Sequence, residues 1–261
     1  MRAKAAVGLT VIALATPALA ASAGAEVVAK GPVHLSVTGA LAPRALPRQG
    51  TAPVTVTLSG RVFPSRKGDA VPQLRRIAFA LNANGRLAVG GLPVCRVGHI
   101  QPATNREAMA ACGSSYIGTG RFAADVELPE QSPFPSEGKM LAFNGRLRGK
   151  PAILAHIYGT VPASTSYTLP FLVKRTRGTF GTLLEANLPQ ISGEWGSISS
   201  MSMTLGRRFV SHGHSQGYVA AGCPAPAGFP GAVFPLARTS FEFAGGLSLS
   251  TTLNRSCEVA G

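Results

Sequence analysis

From residue 33 onward the chain reads mostly with a period of two. VHLSVTG (33–39) alternates, and in PVTVTLSGRVF (53–63) Val54, Val56 and Leu58 fall on one face while Thr55, Thr57 and Ser59 fall on the other. The same reading predicts strands in 74–87, 122–128, 140–149, 152–158, 167–175, 181–188, 197–209, 239–245 and 247–255. Between them stand 31 glycines and 20 prolines, which leaves little room for long helices. Many short strands at close spacing predict an all-β chain, a β-sandwich of jelly-roll-like type, and argue against a βαβ sheet.

One helix is signalled, near residues 104–112. Thr104-Asn105-Arg106-Glu107 fits a capping box, Ala-Met-Ala-Ala-Cys continues with good helix formers, and Gly113 stands where a left-handed C-cap would fall. Two turns of helix are too few to hold by themselves. Asn-Gly at 84–85 and at 144–145 suits tight hairpin turns. At the second site Gly149-Lys150-Pro151 competes, which would leave Asn144-Gly145 as a kink within a strand.

The first residues set the expected compartment. Arg2 and Lys4 precede a short apolar core, and Ala-Leu-Ala at 18–20 or Ala-Gly-Ala at 23–25 offers small-residue cleavage sites. The core is too short to cross a bilayer comfortably. Residues 1–25 are therefore read as a signal peptide and 26–261 as a single secreted, soluble β-sandwich domain. Four cysteines in an exported chain predict two disulfides with three possible pairings, and sequence proximity favours Cys95–Cys112 and Cys223–Cys257. Neither Cys-x-x-Cys nor a histidine at ligand spacing from a cysteine is present, so zinc is not expected.

Charge changes the picture of partners. The net charge of +14 falls by two, to +12, when Arg2 and Lys4 leave with the signal. Arginines supply most of the excess, scattered along the chain, as GC-rich coding would produce; an affinity for anionic envelope polymers is the alternative. Arg146 with Arg148 and Arg175 with Arg177 are expected to share strand faces, and Arg207 adjoins Arg208. Aromatic residues do not interleave with these charges, so a nucleic-acid signal is lacking.

The one familiar catalytic string is GHSQG (213–217), a match to Gly-x-Ser-x-Gly. An elbow around Ser215 needs a following helix, yet YVAAGCPAPAGFPG is broken by proline and glycine. It also needs a later histidine, and His34, His99, His156, His212 and His214 all precede Ser215. The string therefore reads as a polar loop between strands. His212 and His214 could share a metal only with a third ligand that is not nearby, so they read as a turn. His156, in an apolar strand, reads as a core histidine. Glu185 and Glu194 flank a possible hairpin and are the best pair for glycoside hydrolysis; Glu127 and Glu130 read as a strand end. Trp195, the only tryptophan, is the candidate sugar platform, with Tyr116, Tyr158, Tyr167 and Tyr218 as possible additions.

The stretches 92–122, 141–160 and 221–237, taken together, resemble a family of secreted actinobacterial proteins of no known activity. The resemblance implies no substrate, cofactor or site residue, and it implies a variable basic loop at 211–217. The reading is a non-enzymatic binding or structural module at the cell envelope or outside the cell, for an anionic or polysaccharide partner. Trp195, Arg146, Arg148, Arg175 and Arg177 are its candidate ligand contacts, and no catalytic residue, cofactor or metal is assigned. The alternative is an extracellular hydrolase using Glu185 and Glu194 or Ser215.

Overall fold

The computed structural model describes residues 24–126, 134–161, 164–188, 197–211 and 213–261. In chain order the elements are β1 (Glu26–Lys30), β2 (Val33–Ala42), β3 (Ala45–Leu46), β4 (Ala52–Pro53), β5 (Thr55–Pro64), β6 (Leu74–Asn82) and β7 (Gly85–Leu87). Two helices follow, α1 (Val97–Ile100) and α2 (Asn105–Cys112), then β8 (Tyr116–Val126), β9 (Phe134–Leu147), β10 (Lys150–Gly159), β11 (Thr165–Arg175) and β12 (Phe180–Asn187). The chain ends with β13 (Ser197–Leu205), β14 (Arg208–Ser211), β15 (His214–Gly217), β16 (Val219–Ala221), β17 (Gly231–Phe243) and β18 (Ser248–Val259).

Thirteen strands form one sheet in the order β1-β2-β5-β13-β8-β9-β10-β11-β12-β6-β17-β18-β3, antiparallel throughout except for β3 beside β18. The fold is the expected all-β, sandwich-like class, and its two layers are halves of a single curled sheet. Its two ends come together: Arg255 of β18 donates to Glu26 of β1 at 2.6 Å and to the Gly39 carbonyl of β2. Curling needs strands that can approach closely on the inside of the bend. On β8, a Cβ at Gly118 would lie 2.0 Å from the Thr204 carbonyl oxygen, and one at Gly120 would lie 2.0 Å from that of Ser202. Both partners belong to β13, so two glycines inside a strand allow its neighbour to fold over it.

Inside the curl the alternation does its expected work. Val62 of β5, Ile77 of β6, Phe171 of β11, Leu184 of β12 and Phe241 of β17 are all buried in one cluster. Phe79 meets Phe171 at 6.1 Å and Phe241 edge-on at 6.3 Å. A second, smaller cluster lies on the outer face of β9 and β10. There Cys95, Ile100, Ala108 and Cys112 from the helical segment cover Phe143, Ala152 and Leu154. That pad is fixed by the Cys95–Cys112 disulfide, and Cys223–Cys257 ties the segment after β16 to β18; both expected pairings are present.

The capping box of α2 is formed: Glu107 N–H donates to Thr104 Oγ1 at 3.2 Å, and Thr104 N–H donates to Glu107 Oε2 at 2.8 Å. Gly113 is not a left-handed cap. Its φ is −57°, because the chain tightens into a 3₁₀ turn over Gly113–Ser115. Arg207 then donates to the carbonyls of Gly113, Ser114 and Tyr116 at 2.8–3.0 Å, satisfying the helix end with a side chain. The β9–β10 hairpin turns at Arg148-Gly149, with φ of +49° and +77°, and Asn144-Gly145 stays within β9. Residues 197–209 do not make one strand, since β13 ends at Leu205 and β14 starts at Arg208.

Candidate functional site: a basic end of the curled sheet

Strand direction gathers charge at one end. β9 ends, and β10 begins, at the Arg148-Gly149 turn; β11 ends, and β12 begins, in the turn that holds Arg177. Ala152 pairs with Leu172, which sets the two hairpins side by side and brings both turns to the same end of the sheet. The isolated bridge from Cys95 to Gly145 adds Arg96 to this end. Arg96, Arg146, Arg148, Lys150, Arg175 and Arg177 are all exposed there. Among the described residues none of the six is ion-paired; Arg146 donates only to the Gly149 carbonyl, at 3.2 Å. The expected shared strand faces are not what unites them. Arg148 stands in a turn and Arg177 lies beyond β11, so hairpin ends gather them.

Other arginines are spent on structure. Arg207 clamps the α2 exit, while Arg48 donates to the carbonyls of Ala225, Pro226 and Phe229. Arg76 bridges Glu185 and Glu242 at 2.5 Å each, and Lys174 reaches Glu185 at 3.0 Å. Arg238 lies 4.7 Å from the centroid of the Phe180 ring. The six cations of the basic end have no carboxylate partner among the described residues, as is true of exposed cations elsewhere such as Arg44, Arg61 and Arg208; what sets the six apart is that neighbouring hairpin turns bring them together. Composition alone could not have separated them from the clamping arginines.

Of the catalytic candidates, Glu185 and Ser215 are among the described residues and stand on strands of different sheets, β12 and β15. Glu185 sits on the outer face between two cations. The hydrogen bond from Arg76 first, and then the Lys174 ammonium, hold its carboxyl below the usual range, the opposite of what a general acid needs. Glu194, Trp195, Glu127, Glu130 and His212 lie outside the described residues. Ser215 is not in a loop: it is on β15, directly opposite Val210 of β14 in a two-stranded hairpin. β15 ends at Gly217 and the chain bends at Tyr218 into β16, so a strand and not a helix follows and the strand-to-helix geometry of an elbow is not made. The hairpin forms because Phe209 and Val210 supply a strand partner that the polar string by itself did not announce.

Histidine and tyrosine positions are equally informative. His156 is fully buried on the outer face of β10, under Ile100, and opposite Thr168 of β11. Neither ring nitrogen makes a hydrogen bond of proper geometry, nor does the Thr168 hydroxyl. Burial lowers its pKa, and the Ile100 main chain opposes this only in part. His34 packs edge-on against Phe63 at 5.4 Å, and His99 and His214 are exposed. Tyr218 is fully buried, so it offers no plane to a sugar. Tyr116 packs against Phe143 at 6.2 Å, and Tyr167 is partly buried against the main core.

Among the described residues no group of three His, Cys, Asp or Glu side chains converges as a metal would require, and no helix is long and apolar enough to cross a membrane. No family model matches the chain, and no curated protein or solved structure is significantly similar to it.

Proposed function

We propose that this protein is an exported, non-enzymatic binding module that engages an anionic polymer of the cell envelope or extracellular space through the basic end of its curled sheet. One observation carries the reading: six exposed cations converge from three chain segments, without an ion pair among the described residues. Building such an end without counter-charges costs electrostatic repulsion that an anionic partner would relieve. The two disulfides and the expected signal peptide support work outside the cytosol. The engaged state of Glu185 and the hairpin setting of Ser215 weigh against the hydrolase alternative.

The test is retention on immobilised inorganic polyphosphate, with neutral dextran as the control. Retention at low salt and release on adding salt are expected, because exposed charges are screened and counterions compete. Replacing Arg146, Arg148, Arg175 and Arg177 together by Ala should weaken binding about tenfold or more. Equal retention of the quadruple variant, or retention by dextran alone, would overturn the reading.

A further inference from the structure

The interior of the curl is not filled. A cavity of 90 Å³ lies between the two layers, lined along β5 from Val56 to Val62, roughly 20 Å of strand. Val56, Leu58, Phe79, Leu81, Met201 and Met203 line it, and they are only partly buried although they pack against the core. Lining residues are buried at both ends, Val62, Leu74, Ile77 and Phe241 at one and Leu205, Val219, Phe234 and Leu236 at the other, so the partly buried side chains mark the middle of the slot. Such an apolar space stays dry, and leaving it empty forfeits packing.

We infer that this slot receives the alkyl chain of an anionic amphiphile, with the charged head beside Arg86. Size selects the chain. The free volume is 90 Å³ while its lining runs roughly 20 Å along β5, so the space is narrow for its length. A narrow slot suits an unbranched chain; as it stands the space holds only a few methylenes, and the flexible side chains of Met201 and Met203 must shift to admit the rest. Charge selects the head. Asn82, Asn84, Arg86 and Thr182 line the end of the cavity at which Phe180 pairs with Asn82 and Arg175 pairs with Thr182. That is the basic end of the sheet. Arg86 is exposed, with no carboxylate partner among the described residues, and its Nε donates to Thr51 Oγ1 at 2.9 Å. The inference deepens the anion-binding reading at the head group, while the chain site stands on the cavity.

The experiment is calorimetric titration of the intact, disulfide-bonded protein with dodecanoate below its micelle-forming concentration, with dodecanol as the uncharged probe. Saturable dodecanoate binding is expected. Leu58→Trp and Leu81→Phe fill the slot from opposite walls, and each should weaken binding about tenfold or more while leaving polyphosphate retention unchanged. Arg86→Gln should weaken dodecanoate roughly fivefold and leave dodecanol unaffected. A thermal melt checks each variant, and two filling substitutions keep the test open should one of them unfold. No saturable binding by the intact protein, or unaltered binding in a folded filled variant, would overturn the inference. Loss of polyphosphate retention with dodecanoate binding intact would instead remove the polymer reading and leave the chain site standing.

Discussion

His156 shows how much one buried side chain can report. Its imidazole is sealed under Ile100 with no hydrogen bond of proper geometry, so burial favours the neutral form and lowers its pKa from the ordinary value, against a weaker opposing pull from the Ile100 main chain. A lowered folded pKa means that the unfolded chain binds the proton more readily. Stability is then level above the ordinary histidine range, about 6.5, and falls as the pH drops below it. His156→Leu should therefore be neutral or stabilising by up to about 1 kcal/mol near neutrality, and should flatten this part of the acid limb in urea melts taken across pH. Glu185 acts lower on the scale. Its folded pKa is depressed by Arg76, so its contribution is present above the ordinary carboxylate range and is lost as the pH falls through the folded value. Gly120 makes the sharpest steric case: Gly120→Val should cost about 2 kcal/mol or more, read as a lowered urea midpoint, because its Cβ would meet the Ser202 carbonyl at 2.0 Å. His156 was legible in the sequence as a core histidine. Gly118 and Gly120 were not legible as bend residues, since their need is set by Thr204 and Ser202, more than eighty positions away.

Elements were legible where the signal was local. The α2 helix carries its own start signal in Thr104 and Glu107 and appears where expected. The longer strands carry their alternation but with other bounds, since 74–87 divides into β6 and β7, and β8, β9 and β17 begin well before the stretches expected at 122, 140 and 239. β1, the four-residue α1 and the β14–β15 hairpin lacked such signals. Each depends on a partner: β1 on β2, α1 on the pad beneath it, and β15 on Val210 and its neighbours. The pad makes the clearest element-scale prediction. Replacing Cys95 and Cys112 together by Ser should cost roughly 3 kcal/mol. Amide exchange should accelerate first in α1 and α2 while the β5–β13–β8 ladder stays protected, because the pad covers only an outer face. Simultaneous loss of protection in both would contradict this order.

At the scale of the whole molecule, one sheet curls until its ends come together, an apolar slot remains inside, and one end collects cations without ion pairs among the described residues. The sequence made the all-β class and both disulfide pairings readable. It could not show the slot, because a full core and a partly empty one share the same alternation. Nor could it show which arginines are free, since Arg48, Arg76 and Arg207 are engaged by groups distant in the chain. Hydrogen exchange of the intact protein, with and without polyphosphate at low salt, tests the central claim most directly. Added protection should be confined to the β9–β10 and β11–β12 turns, around 146–150 and 174–182, and should vanish as salt is raised. Protection on any other face, or none anywhere, would contradict a binding role for this end of the sheet.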